Sequence, residues 1–146
     1  MAVGAQINFL SRVASPAPAV PVNGDRHGLR GYQRECVEAI TGRLSRERGA
    51  MAALFTSSGK TRIGAALIHE WPGRVLWLAM RDFLLDQARQ RIEELTGEWT
   101  TLEQGKNTAD GSRICIGSVQ TIRGRRLTDW SRTSFSLIVL DEAHHG

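Results

Sequence analysis

Leu54-Phe55-Thr56-Ser57-Ser58-Gly59-Lys60-Thr61 divides two textures of sequence. Before it, Met51 to Phe55 is a short apolar run. After it, Lys60 to Trp71 carries apolar residues at helical spacing and stops at Pro72-Gly73. The stretch therefore reads as a strand, a tight loop and the opening of a helix. In such a loop Gly59 lets the backbone approach a phosphate, and the N–H groups of the loop and helix start point at it. Lys60 can reach the β- and γ-phosphates, and the Thr61 hydroxyl can ligate magnesium. The pattern G-x-x-x-x-G-K-[ST] is incomplete, because Leu54 stands at its first glycine. From this stretch alone, a chance Gly-Lys-Thr at a strand-to-helix turn stays open.

On either side the chain alternates short apolar runs with amphipathic stretches. Tyr32, Cys36, Val37, Ile40 and Leu44 recur at helical spacing, which predicts a helix from about Leu29 to Arg48, ended by Gly49. Val75 to Ala79 predicts a second strand, and Asp82 to Leu95 a long helix closed by Gly97. Thr100 to Leu102 and Arg113 to Ile116 predict further strands, a short helix can begin near Ser118, and Ser136 to Leu140 predicts the last strand. Runs apolar on both faces, with helices between them, predict an α/β fold with a mainly parallel sheet covered on both sides. Reactive groups then belong in loops at the carboxyl ends of the strands. Residues 1 to about 28, with Pro16, Pro18, Pro21, Gly24 and Gly28, read as a flexible lead-in holding a short ordered piece around Ile7 to Val13.

The last strand, Leu137-Ile138-Val139-Leu140, delivers Asp141 and Glu142 to a loop. A carboxylate there can hold magnesium, usually through water, and a second can orient or deprotonate the attacking water. Asp141 suits the first role and Glu142 the second. A solvated acidic turn is the plain alternative, which the phosphate loop on the same sheet edge disfavours.

The 146 residues make one domain's worth of sequence, 41% hydrophobic and 23% charged. Net charge is +4, and the basic excess is nearly all arginine, since Lys60 and Lys106 are the two lysines. Guanidinium groups fork onto phosphate oxygens, so the balance suits a nucleic-acid partner, although a solvated basic surface explains it as well. Cys36 and Cys115 sit in apolar patterns and read as small buried side chains, not as a disulfide or zinc site. No apolar run approaches the roughly 20 residues of a membrane span. Gln6, Asn8, Ser11 and Arg12 interrupt any signal-peptide core, so an intracellular, cytoplasmic protein is expected.

Asp141-Glu142-Ala143-His144 spells the signature of DEAH-box superfamily 2 helicases, and Ser57-Ser58-Gly59-Lys60-Thr61 resembles their motif I. Leu29-Arg30-Gly31-Tyr32-Gln33 is similar to the upstream motif whose glutamine contacts adenine. Val75 to Gln87 resembles motif Ia, and Ile116-Gly117-Ser118-Val119-Gln120-Thr121 resembles the segment whose Gln-Thr lies near the nucleic-acid track. The resemblance covers nearly everything from Leu29 onward. It implies the first RecA-like domain of a restriction-, repair- or phage-type helicase, a three-layer P-loop domain cut after motif II and incomplete at its C-terminal end. It implies ATP and Mg²⁺ as cofactors, with Arg30, Gln33, Ser57, Ser58, Gly59, Lys60 and Thr61 binding ATP. Lys60 and Glu142 would be catalytic, and Thr61 and Asp141 would hold the metal. Arg81, Gln120 and Thr121 would contact DNA or RNA, and His144 would couple the two sites. A second RecA-like domain would complete the machine. Ser57 stands where motif I usually has glycine, Gly31 for proline and Met80 for histidine.

Arg123, Arg125 and Arg126 form a basic cluster, and Trp71, Trp77, Trp99 and Trp130 read as packing residues. The leading expectation is the ATP-binding domain of an ATP-dependent DNA or RNA helicase or translocase, inactive as an isolated chain. The alternative is a non-catalytic remnant that binds nucleotide or nucleic acid weakly. A kinase or AAA+ ATPase is a third reading, opposed by Gln33 and the DEAH box.

Overall fold

The computed structural model describes residues 5–10, 28–55, 59–103, 111–122, 130–131 and 134–141, with the backbone alone for 5–10 and Asp82. Along the chain run β1 (Ala5–Leu10), α1 (Gly31–Leu44), β2 (Gly49–Leu54), α2 (Lys60–Glu70) and β3 (Val75–Ala79). A 3₁₀ turn (Asp82–Leu84), α3 (Leu85–Thr96), β4 (Thr100–Glu103), β5 (Ile114–Ser118) and β6 (Leu137–Leu140) follow. The strands form one sheet in the order β2-β1-β6-β3-β5-β4.

The four strands β6, β3, β5 and β4 are parallel, as their apolar runs predict. β1 breaks the pattern by pairing antiparallel with both β2 and β6. That double pairing gives β2 the same direction as β6, so β2 through β6 all end on one edge of the sheet. The ordered piece predicted around Ile7 to Val13 is thus a strand that begins two residues earlier, at Ala5, and lies inside the sheet; residues 11–13 are outside the described residues.

Alternation along the strands makes two cores. Val75, Trp77 and Ala79 of β3, Ile114 and Ile116 of β5, and Leu137 and Val139 of β6 face the three α-helices. Leu76 and Cys115 face the other way, against Ile122 and Phe135, with Leu78, Trp130 and Ile138 packed alongside. Crossover handedness accounts for this division. The chain moves across the sheet from β2 to β3 to β4, then returns from β4 to β5 to β6. Right-handed crossovers therefore put the first connections, α2 and α3, on one face and the returning segments on the other.

Local corrections follow from the same forces. α1 buries Gln33, Val37, Ile40 and Leu44 as one stripe, leaving Tyr32 43% exposed, and ends at Leu44 rather than near Arg48. Ser45 closes it, its hydroxyl donating to the Gly42 carbonyl at 2.8 Å, and Gly49 pairs with Leu10 as the first residue of β2. The helix expected from Asp82 opens as the 3₁₀ turn and becomes α-helical at Leu85; Gly97, at φ 69°, ends it. The short helix expected near Ser118 is a single hydrogen-bonded turn. Trp77 and Trp71 are core residues, but Trp99 is 61% exposed and does not pack as expected. Gly64 on α2 makes room for Trp77, since a Cβ there would stand 2.4 Å from the indole ring. Among the described residues no helix is long and apolar enough to cross a membrane.

Candidate nucleotide and nucleic-acid site

Gly59 ends the phosphate loop as the N-cap of α2, in the left-handed region at φ 75°, ψ 39°. Its carbonyl accepts from the N–H groups of Arg62 and Ile63, which starts the helix. Lys60 and Thr61 form the first turn and are half-buried. Two features favour glycine at 59. A side chain pays for positive φ, and a Cβ would lie 2.5 Å from Nε2 of Gln33. Gln33, 4% exposed, therefore sits directly against the phosphate loop. Its Oε1 accepts the Arg30 N–H at 2.9 Å, which ties the amide to the start of α1, while Arg30 itself is exposed.

The strand register sets the heights of the two functional loops. Met51 of β2 and Leu140 of β6 both lie across from Asn8, whereas Leu54 lies across from Ala5. β2 thus runs three residues, roughly 10 Å, farther along the carboxyl edge than β6. Laterally the two are separated by one intervening strand, roughly 9–10 Å. The carboxyl ends of β2 and β6, at Leu54 and Leu140, are thus one strand apart across β1. Asp141 is held by its backbone, whose N–H donates to the Leu78 carbonyl at 2.9 Å.

The end of β3 also positions the neighbouring loop, because the Ala79 carbonyl accepts from the Val119 N–H at 3.0 Å. There the Ser118 hydroxyl accepts from the Thr121 N–H at 3.1 Å and lies 3.0 Å from Thr121 Oγ1. Gln120 is left exposed at the crest, and Thr121 is half-buried. Arg81, also exposed, begins the 3₁₀ turn after β3, so Arg81, Gln120 and Thr121 occupy adjacent loops of one edge.

Residues 26–146 match the family described as type III restriction enzyme, res subunit. The chain belongs to that family. It is also 31% identical over 131 residues to IRC3 of Saccharomyces cerevisiae, whose name gives it provisionally as an ATP-dependent helicase. That alignment takes in 80% of this chain and 19% of the yeast protein, so the chain spans about a fifth of its relative's length. Together these place the chain as the first RecA-like domain of a superfamily 2 helicase, the fold its parallel strands already display.

The structure thus gathers Arg30, Gln33, Gly59, Lys60, Thr61, Arg81, Gln120, Thr121 and Asp141 on the carboxyl edge or on the α1 start beside it. Ser57, Ser58, Glu142 and His144 lie outside the described residues, as do Arg123, Arg125 and Arg126. Sequence reasoning missed Arg62, whose Nη1 donates to the Gly28 carbonyl at 3.1 Å. Its position directly after Lys60-Thr61 was the available signal. Among the described residues no group of three or more His, Cys, Asp or Glu could hold a metal. Magnesium does not require one, since it is bound by one or two carboxylates together with substrate phosphates and water.

Proposed function

We propose that this chain is the Mg-ATP-binding domain of a DNA or RNA helicase or translocase, which couples hydrolysis to movement when a second RecA-like domain closes on it. The observation that carries the reading is Gly59-Lys60-Thr61 at the start of α2, one strand from Asp141 and against Gln33. Lys60 binds the β- and γ-phosphates there, and Gln33 lies where it can read adenine. Thr61 and Asp141 offer hard oxygen ligands, which suit magnesium. The metal would supply neutralisation of phosphate charge. Glu142 orients the attacking water, His144 couples the nucleotide to the strand, and Ser57 and Ser58 complete the loop. Arg81, Gln120 and Thr121 hold the nucleic-acid backbone.

Titration of folded Lys60→Ala with Mg-ATP tests the core of this reading. The substitution should weaken binding at least tenfold, about 1.4 kcal/mol; unchanged affinity would sink the assignment. The isolated chain should bind nucleotide with little or no turnover. An arginine finger is worth roughly 10³ to 10⁵ in rate in GTPases, and the family resemblance places the corresponding arginine on the second domain. Steady-state hydrolysis, with and without single-stranded DNA and RNA and with Glu142→Gln as the blank, checks this. Robust turnover that the substitution abolishes would show that the chain completes its own site, for instance by self-association.

A further inference from the structure

Two separate ties join the start of α1 and the residues just before it to α2. One is the close packing of the Gln33 amide on Gly59. The other is the Arg62 hydrogen bond to the Gly28 carbonyl, across 34 positions of sequence. Gly28 stands in the left-handed region at φ 55°, and a Cβ on it would be 3.7 Å from Arg62 Nη1. The Arg62 N–H in turn donates to the Gly59 carbonyl at 2.9 Å, so the backbone of Arg62 is tied to Gly59 and its tip to Gly28. Between these contacts run Leu29, packed against the core, and Arg30, whose N–H fixes the Gln33 amide. Arg62 therefore closes a ring: Gly59, Gln33, Arg30, Gly28, Arg62 and back to Gly59.

We infer that Arg62 is a positioning residue for base recognition, which selects adenine nucleotides by holding the Gly28–Arg30 backbone and, through it, the amide of Gln33. The inference rests on the nucleotide-binding reading above and goes beyond it, since that reading gives Arg62 no role. The physical reason lies in how an amide reads a base edge. A glutamine side chain can match adenine's N6 donor and N7 acceptor together, whereas guanine presents acceptors at both O6 and N7. Such discrimination works only if the amide keeps one orientation. Gln33 is oriented by Arg30, and Arg30 stands two residues after Gly28, a glycine with few conformational limits. Arg62 supplies the restraint that glycine lacks.

The test is titration of the full chain with fluorescently labelled ATP and GTP in magnesium buffer, for the natural protein, Arg62→Ala, Arg62→Lys and Lys60→Ala. The natural protein should prefer ATP. Arg62→Ala should weaken ATP about fivefold, the worth of one net hydrogen bond, and leave GTP unchanged. Arg62→Lys, which keeps a donor within reach of the Gly28 carbonyl, should recover most of the preference. A merely structural role would lower both nucleotides together, and that result overturns the inference. No change in either nucleotide, or no ATP preference in the natural protein, does the same. If Arg62→Ala does not fold, the ATP-to-GTP ratio of Arg62→Lys against Arg62→Gln decides, with equal ratios overturning the proposal. Lys60→Ala separates the two levels. If it weakens both nucleotides while Arg62→Ala changes nothing, only the role of Arg62 fails; if it weakens neither, the nucleotide-binding reading itself fails.

Discussion

At the amino ends of the strands, polar side chains tie distant segments together; at the carboxyl ends several are held out. Arg113, just before β5, donates to the carbonyls of Ile68 at 3.2 Å and Trp71 at 2.9 Å, closing the end of α2, and pairs in bidentate fashion with Glu98. Beside it, Arg74 donates to the Ser112 carbonyl and lies over the Phe135 ring at 4.9 Å. Ser136 donates to the Pro72 carbonyl at 2.8 Å, and Ser112 is shared between Thr101 and the Ile114 carbonyl. At the opposite edge the side chains of Lys60, Thr61, Arg81 and Gln120 make no hydrogen bond to another described residue. The order there comes from backbone contacts, the Asp141 and Val119 N–H groups on the end of β3. One end of the sheet is cross-linked by its side chains; the other is where the proposed function puts its ligands.

The largest stability effect should therefore come from the amino end. Arg113→Ala removes charge-assisted bonds and leaves Glu98 and the last carbonyls of α2 without them, at a cost of about 2–3 kcal/mol. Denaturant melts would show it, while nucleotide affinity of the folded protein should stay put. A loss of nucleotide binding in folded Arg113→Ala would mean that the two ends are not independent.

Gly64→Ala comes next, because it pushes a methyl group into the Trp77 ring that the glycine accommodates. Overpacking of this kind costs about 1–3 kcal/mol, to be read from the same melts. A neutral outcome would mean that α2 can lift from the sheet, and the phosphate loop on its first turn would then be looser than the contacts imply.

Arg81→Ala should change stability by no more than about 0.5 kcal/mol, the usual range for surface positions. Its effect belongs to binding. Affinity for a single-stranded oligonucleotide should fall, and the salt dependence should shallow by about one phosphate contact. A clear drop in melting temperature with unchanged oligonucleotide binding would move Arg81 to the structural side of the comparison.

The smallest effect concerns acid. Burial raises the pKa of Glu93, but hydrogen bonds from the Thr100 hydroxyl and N–H, with help from Arg89, outweigh it and hold the carboxyl below its ordinary value. A depressed folded-state pKa stabilises the fold above the unfolded value, about 4.3 for glutamate, and that contribution is lost as pH falls through the folded value. Thr100→Val keeps the backbone bond and removes the hydroxyl, so stability should decline less steeply below about pH 4.3. An unchanged acid limb in melts from pH 3 to 7 would remove Glu93 from the account.

How far this division was legible differs between the two ends. Gly59-Lys60-Thr61 and Leu140-Asp141 could be placed because a glycine, a lysine and an acidic residue at strand ends have few other uses, and the strands before them are plain apolar runs. The amino-end network could not. Arg113, Arg74 and Ser136 look like ordinary turn residues, and their carbonyl partners lie 38 to 64 positions away. The same distance hid the packing of Gln33 on Gly59, although a glutamine heading the stripe Val37, Ile40, Leu44 is a local hint that its amide is buried. β1 was half legible: a short ordered piece was expected from Ile7, but nothing local says that it enters the sheet. Trp99 misled because an aromatic residue between a helix and a strand usually packs.

Position within the sheet also fixes a sequence of events during synthesis. Asn8 is made before both of its partners, Met51 and Leu140. At roughly 5–20 residues per second, the second partner appears on the order of 10 s after Asn8 itself. The βα units between Gly49 and Glu103 have shorter loops to close and can pair earlier, while contacts of long sequence separation form slowly. β2, with its phosphate loop, is bonded to the other strands only through β1. The pairing of β2 with the other strands through β1 is thus the last part of the sheet to form.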